Sequence, residues 1–88
     1  MTKATQTIDQ AIAAIEDAGH KRYGRDEAKF YDPRKRGAYI VLDDGYSNAD
    51  FGSYPEIQTG DGKPSGAFCS EIREILESQR KQILEQGK

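Results

Sequence analysis

The sequence contains one histidine and one cysteine, two side chains that often supply a nucleophile, a general base or a metal ligand. His20 and Cys69 lie far apart in the chain, and no ligand motif surrounds either of them. A cysteine nucleophile would need a positioned base, and His20 is the only histidine that could serve. We therefore expect no enzymatic activity, no metal and no cofactor.

Two other stretches have residue types suited to ion binding but lack the spacing. Asp43, Asp44 and Asp50 do not follow the alternation of acids in a calcium loop. The stretch 60–63, Gly-Asp-Gly-Lys, lacks the full pattern of a phosphate loop, and no strand leads cleanly into it. We interpret both stretches as turn and loop residues.

A candidate protein-binding surface lies at residues 43–54, where tyrosines alternate with small polar and acidic residues. Tyrosine supplies rigid contact area, and Ser, Asn and Gly supply adaptable hydrogen bonds, as in protein-recognition loops. The alternative is an ordinary turn-rich hairpin with its aromatic residues inside, and we expect Phe51 to be inside. The candidate residues are Asp43, Asp44, Tyr46, Asn48, Asp50 and Tyr54.

A second candidate surface is basic and would bind nucleic acid, with cations on phosphates and aromatic rings on bases. Residues 21–42 hold seven basic side chains, whereas residues 43–62 hold five acids and no base. The net charge of −2 weakens this hypothesis, and a solvated loop tip is its alternative. The candidate residues are Lys29, Phe30, Arg34, Lys35, Arg36 and Tyr39.

The central element is the apolar run at residues 38–42, which is short and rich in β-branched and aromatic residues, as expected of a strand. Asp44-Gly45 follows it and predicts a tight type I′ hairpin turn. Such a turn would place Asp43 opposite Tyr46. It would also pair Ile40 with Ala49 and Ala38 with Phe51.

An earlier hairpin is predicted from a strand at residues 28–31 and a loop at residues 32–37. If Tyr31 pairs with Ala38, then Phe30 pairs with Tyr39, and alternation sorts the strands into two faces. A slip of one residue in either loop would exchange the faces of that strand. The predicted core face carries Tyr31, Ala38, Ile40, Leu42, Ala49 and Phe51, and the predicted open face carries Phe30, Tyr39, Val41, Tyr46, Asn48 and Asp50.

Two helices flank these strands. Thr7-x-x-Gln10 is a capping box that starts a helix at about residues 7–18, and Gly19 suits the position that follows it. Its apolar stripe is Ile8, Ala11, Ile12, Ile15 and Ala18. Ser65 caps a second helix that reaches the mid-eighties. Its inward residues are Ala67, Phe68, Ile72, Ile75 and Leu76, while Ile83 and Leu84 form either a frayed tail or a homodimer seam.

The order α-β-β-β-α predicts an α+β fold in which two helices pack on one face of a three-stranded antiparallel sheet. This order is similar to that of the double-stranded-RNA-binding domain, and residues 60–65 resemble that family's approach to its second helix. Gly66 and Ala67 stand where the family has consecutive lysines that grip phosphates. The resemblance therefore implies the topology without the principal RNA grip.

The 88 residues form one domain, with residues 1–6 and 85–88 expected to be frayed, and residues 55–65 expected to be a loop. A single cysteine and the lack of an apolar leader lead us to expect a cytoplasmic protein that does not enter a membrane. Our leading hypothesis is a small non-enzymatic protein-binding module. It would be an inhibitor of the kind made by phages and mobile elements, and would mask a partner's surface with its acidic hairpin. A nucleic-acid-binding domain is the alternative.

Overall fold

The computed structural model describes residues 5–24, 27–48, 51–59 and 63–86. The elements in chain order are α1 (Ile8–Asp17), β1 (Arg22–Tyr23), β2 (Lys29–Tyr31), β3 (Tyr39–Asn48), β4 (Gly52–Thr59) and α2 (Gly66–Gln86). The strands form one antiparallel sheet in the order β1-β2-β3-β4. The α+β class is confirmed, but the sheet has four strands rather than the three predicted.

The extra strand is β1, which pairs Arg22 with Phe30 and Tyr23 with Lys29. The sequence does not predict this strand, because two residues are too few to show an alternating pattern. The guanidinium of Arg22 donates from Nε to the carbonyl oxygen of Glu27 at 2.7 Å, which ties the short strand to the chain that leads into β2.

The first helix starts and ends as predicted. Gln10 N–H donates to the Thr7 hydroxyl at 3.1 Å, and the Gln10 side chain accepts from Thr7 N–H at 2.9 Å, which completes the capping box. Gly19, with a φ of +101°, follows the C-cap Ala18 in a conformation that glycine adopts most easily. Ala11, Ile12 and Ile15 are buried, whereas Ala18 is exposed.

The second helix begins at the predicted cap, where Phe68 N–H donates to the Ser65 hydroxyl at 3.2 Å. Its buried side chains are Phe68, Cys69, Ile72 and Leu76, while Ala67 faces solvent instead of the core. Residues 85 and 86 are helical rather than frayed. Ile83 and Leu84 are half-buried, and a homodimer through α2 stays a prediction.

One core joins the two helices to one face of the sheet. Each helix contributes a stripe of apolar residues, and the sheet contributes residues from its three longest strands. Ile57 is among them, because residues 55–59, predicted to belong to a loop, are part of β4. The core consists of Ala11, Ile12, Ile15, Phe30, Ile40, Leu42, Ile57, Phe68, Cys69, Ile72 and Leu76.

The pairing of β2 with β3 differs by one residue from the prediction. Phe30 pairs with Ile40 and Tyr31 pairs with Tyr39. Phe30 is therefore fully buried, and Tyr31 is 46% exposed on the opposite face, so both predicted positions were wrong. The predicted burial of Ala38, Ile40, Leu42 and Phe51 is confirmed.

The predicted turn at Asp44-Gly45 is also wrong, because β3 continues through it to Asn48, which pairs with Gly52. The three residues 49–51 therefore connect the strands. None of the predicted pairs forms: Ile40 lies opposite Thr59, and Asp43 lies opposite Glu56. Ala49 lies outside the described residues.

Asp44-Gly45 forms a β-bulge instead of a turn. The register shifts by one residue between Asp43 and Tyr46, so that β3 has two residues where β4 has only Pro55. Gly45 has a φ of +115°, which a side chain would disfavour. Proline has no N–H to donate to a ladder, and it is tolerated on an edge strand opposite such an irregularity.

Polar contacts fix the start of α1 and the middle of α2 to the sheet. Gln6 is fully buried, so the prediction that residues 1–6 fray is wrong for this residue. Its backbone N–H donates to Ser53 O at 3.0 Å, and its side-chain amide donates to Leu76 O at 3.2 Å and to Gln79 Oε1 at 2.7 Å. Gln79 in turn donates to Gln10 O at 2.9 Å. Residues 1–4 lie outside the described residues.

Asp32 joins the β2–β3 loop to the start of α2. The carboxylate is buried and accepts N–H groups from Ser65 at 2.7 Å and from Arg34 at 2.9 Å. Burial alone would raise the pKa of Asp32, but these hydrogen bonds favour the charged form, and its pKa lies below the ordinary 3.8.

Substituting the paired positions Phe30 and Tyr31 tests the register. Phe30→Ala should lower the free energy of unfolding by about 3–5 kcal/mol, because it removes a fully buried ring. Tyr31→Ala should cost about 1 kcal/mol or less, because the ring is half-exposed. Urea unfolding at equal m-values measures both, and a larger loss for Tyr31→Ala would contradict the register.

Asp32 should give stability a defined pH dependence. Because its pKa is lower in the folded than in the unfolded chain, ionised Asp32 stabilises the fold above about pH 4, and this contribution is lost as the pH falls through the folded-state pKa. At pH 7, Asp32→Ala should cost about 1–3 kcal/mol, because two N–H groups lose their acceptor.

Urea unfolding at pH 7 and from pH 4.5 to pH 2.5 measures this contribution. The Asp32→Ala variant should lose less stability than the wild type over the acidic range, and the exposed Asp43→Asn variant is the matched control. An unchanged acid dependence in Asp32→Ala would contradict the assignment.

Candidate functional site

The sheet separates the two kinds of aromatic residue. All three phenylalanines are buried, namely Phe30, Phe51 and Phe68. Cross-strand partners share a face, and residues two apart in a strand share a face. The observed pairs therefore place Tyr23, Tyr31, Tyr39 and Tyr46 on the face opposite the core, which we call the open face. Tyr54, the cross-strand partner of Tyr46 on the edge strand β4, lies at the margin of this face, where Arg80 of α2 covers its ring.

The first end of the open face is a tyrosine cluster made of Tyr23, Tyr31, Tyr39 and Lys29. The rings of Tyr23 and Tyr31 meet edge to face with centroids 4.8 Å apart, and those of Tyr31 and Tyr39 meet similarly at 6.1 Å. Lys29 Nζ lies 5.0 Å from the Tyr39 centroid and 5.8 Å from that of Tyr23. The cluster thus presents packed aromatic edges around one cation.

The second end is the acidic hairpin, which we define as Asp43, Asp44, Tyr46 and Tyr54. The two acids are exposed, and Tyr46 is 36% exposed. The Gln58 side-chain amide donates to the Tyr46 hydroxyl, which holds the ring along the hairpin. The bulge in β3 and the pairing of β3 with β4 together bring these four residues to one end of the sheet.

Tyr54 is more strongly held than Tyr46. Its ring lies under the guanidinium of Arg80, 4.4 Å from the centroid, and contacts the ring of Phe51 with centroids 6.2 Å apart. Tyr46 is tilted against it at 6.3 Å. Tyr54 therefore packs against the more exposed Tyr46 and is itself held in place by Arg80 of α2.

The structure brings together four of the six predicted protein-binding residues, namely those of the acidic hairpin. Asn48 ends β3, but its side chain is not described, and Asp50 lies outside the described residues. The role of these residues in binding stays a prediction.

The predicted nucleic-acid set is divided by the register. Lys29 and Tyr39 lie on the open face, but Phe30 is in the core and cannot stack on a base. Arg34, Lys35 and Arg36 are exposed in the β2–β3 loop, as predicted.

Sequence reasoning missed Tyr23 and Tyr31 as surface residues. The available signal was residue type, because phenylalanine suits a core better than tyrosine, whose hydroxyl needs a partner when buried. Placing Phe30 inside would have required Tyr31 to point outward, and the pairing with Tyr39 would have followed.

Lys29 and Tyr31 have shifted acid–base behaviour. The pKa of Lys29 is raised by the Glu27 carboxylate, whose Oε2 lies 3.4 Å from Nζ. The pKa of Tyr31 is raised above 10.0, first because its neighbours displace water and second through hydrogen bonding with Tyr23, while the charge of Lys29 opposes the shift.

His20 lies against the first turns of α2, the helix that also carries Cys69. His20 Nε2 lies 3.5 Å from Glu71 Oε1 without a well-formed hydrogen bond, and its ring contacts that of Phe68 with centroids 5.5 Å apart. Cys69 is buried in the core. Within the described ranges, no group of three or more His, Cys, Asp or Glu residues could hold a metal ion.

Comparison of the chain with protein-family models, with curated proteins and with solved structures gave no significant match. Among the described residues, no helix has the length and apolar character needed to cross a membrane.

The contacts within the tyrosine cluster predict how substitutions should change the pKa of Tyr31. Tyr23→Phe should lower the pKa of Tyr31 toward 10.0, because it removes the hydroxyl whose hydrogen bonding and charge help to raise it. Lys29→Met should raise the pKa of Tyr31 further, because it removes the cation that favours the phenolate.

The measurement is an NMR titration of the ring carbon that bears each hydroxyl. Tyr46→Phe is the matched control, since Tyr46 lies in the acidic hairpin and should not affect Tyr31. Unchanged titration of Tyr31 in both test variants would mean that the cluster does not assemble as described.

Proposed function

We propose that this chain is a small, non-enzymatic protein-binding module that uses the open face of its sheet as the contact surface. The observation that carries the proposal is the placement of Tyr23, Tyr31, Tyr39 and Tyr46 on that face, away from the core that the two helices cover. Tyrosine is enriched at protein interfaces because it buries a large rigid area at low entropic cost and still offers a hydrogen bond.

Exposure supports this choice of surface. The large hydrophobic side chains that stand out most to solvent among the described residues are Tyr23 at 44%, Tyr31 at 46% and Tyr46 at 36%. All three lie on the open face, where a partner would cover them together. A folded domain that bears several exposed aromatic residues on one surface commonly uses that surface for binding.

The distribution of charge along the open face favours one orientation of the partner. The tyrosine cluster is flanked by the basic β2–β3 loop, whereas the other end carries Asp43, Asp44 and Glu56. A face with opposite charges at its two ends accepts a complementary surface in one direction and disfavours the reverse. The acidic hairpin would lie against a basic patch of the partner.

Masking a basic patch on another protein is the mode of action that we propose for the acidic hairpin. Such a module would act as an inhibitor by occupying a site that its partner uses for another ligand. The proposed setting is the cytoplasm of a cell that carries a phage or mobile element, where small inhibitors of this kind act.

Site-specific crosslinking tests which surface meets a partner. Placing p-benzoylphenylalanine at position 46 should give a covalent adduct with a protein in lysate of the native host, whereas the same group at position 74, exposed on α2, should give none. Mass spectrometry of the adduct identifies the partner. An adduct from position 74 but not from position 46 would place the interface on the helices.

Mutation then measures the energetic contribution of the acidic hairpin. Tyr46→Ala combined with Tyr54→Ala should weaken binding to the crosslinked partner by at least about 2 kcal/mol, roughly 30-fold, if these rings anchor the interface. Glu74→Ala is the matched control, and thermal unfolding verifies that the double variant is folded. Unchanged affinity in a folded double variant would contradict the proposed surface.

A further inference from the structure

A groove of about 500 Å³ opens beside the tyrosine cluster, where the chain entering β1 diverges from the chain leaving β2. Its lining includes His20, Lys21, Arg22, Tyr23, Tyr31 and Pro33. Its volume lies within the range of about 300–1,000 Å³ typical of small-molecule sites.

The aromatic part of the lining is a corner built from two rings. Tyr23 and Tyr31 are inclined at 68° to each other, and nearly half of each side chain is exposed. A planar group laid on one ring would meet the edge of the other, which is a favourable arrangement for aromatic systems. The corner therefore suits a flat heteroaromatic ring.

The charged part of the lining is basic. Of its cations, Lys21 is exposed and Arg22 is half-buried. Arg34, Lys35 and Arg36 do not line the groove, but they follow its residue Pro33 in the chain and are exposed. Within the described part of the chain, the ion pairs involve none of these five residues, although Arg22 donates from Nε to Glu27 O. The exposed Lys21 is therefore the lining cation most open to an anion.

A second groove, between the two helices, lacks this combination of aromatic and basic residues in its described lining. That groove has a similar volume, but Asp17, Glu71 and Glu74 line it, and it lacks aromatic residues among its described lining. The described lining of the groove at β1 has no carboxylate. An anionic ligand would therefore enter the groove beside the tyrosine cluster and be repelled by the other.

We propose that the groove beside β1 binds a nucleoside phosphate unit, with the base on the Tyr23–Tyr31 corner and the phosphate at Lys21 and the β2–β3 loop. Base–tyrosine stacking combined with a cationic path is the usual chemistry of single-strand recognition. The unit could come from a free nucleotide or from a single-stranded nucleic acid. This activity goes beyond the proposed protein binding, which shares Tyr23 and Tyr31 with the groove but is tested at the acidic hairpin at the other end of the sheet.

Fluorescence anisotropy with a labelled ten-nucleotide single strand, in a salt series, tests the proposal on the full chain. Saturable binding at low salt is expected, and unlabelled mononucleotide should compete for the groove. An abasic strand of equal length and charge should bind at least about fivefold more weakly, because it cannot stack. Equal binding of the abasic strand would reduce the interaction to nonspecific phosphate attraction and overturn the proposal.

Variants locate the site. Tyr31→Ala should weaken binding by about fivefold or more, while Tyr31→Phe, which keeps the ring, should bind as the wild type does. Lys21→Glu should weaken binding and reduce its salt dependence. Tyr46→Ala is the matched control and should have no effect. Unchanged binding by Tyr31→Ala, or no saturable binding at low salt, would refute the site.

Two further comparisons identify the source of the unit and the competing class of ligand. A strand that binds much more tightly than the mononucleotide, with a steep salt slope, indicates single-stranded nucleic acid. Similar affinities indicate a free nucleotide, and both outcomes support the proposed chemistry. A glutamate-rich peptide that occupies the groove when neither nucleotide nor strand binds would overturn it in favour of an acidic protein segment.

Discussion

The pairing of Phe30 with Ile40 is the constraint on which the other features of this structure depend. It places the Phe30 ring in the core that the helices cover, and by alternation it turns Lys29 and Tyr31 to the opposite face. The same register puts Tyr39 beside Tyr31 and, through β1, Tyr23 beside Lys29. A shift of one residue would bury the tyrosine and lysine side chains of β2, and both the core and the candidate site would be lost together.

The bulge at Asp44-Gly45 determines which side chains lie on the open face at the other end of the sheet. Without the extra residue in β3, Tyr46 would fall on the face opposite to Asp43, and it would be directed toward the helices. With the bulge, Tyr46 pairs with Tyr54 and lies on the same face as Asp43. Pro55, opposite the bulge, also removes a backbone donor from the edge strand β4, which makes that edge a poorer template for pairing with another strand.

Local signals in the sequence predicted the features that depend on a few adjacent residues. The capping box at Thr7, the cap at Ser65 and the burial of Ile40 and Leu42 all formed as expected. The registers predicted for the two hairpins were wrong because pairing depends on residues distant in the chain, and the turn was misplaced because an Asp-Gly pair suits a bulge as well as a turn. The predicted nucleic-acid-binding set was wrong in part for the same reason, because Phe30 lies in the core and not on the open face. The strand β1 has only two residues, so the sequence shows no alternation of apolar and polar residues that would predict it.

The division of charge along the open face bears on both proposed activities. A stable partner that covered the open face would need a basic region against the acidic hairpin and an acidic or phosphate-bearing region against the tyrosine cluster. A protein that itself binds nucleic acid meets both requirements, because its binding site is basic and its bound strand supplies phosphates. The two ends of the face would then bind the two components of one complex, the hairpin holding the protein and the groove holding the strand. Such a complex would give a role to the basic loop that this chain, with a net charge of −2, exposes beside its aromatic cluster.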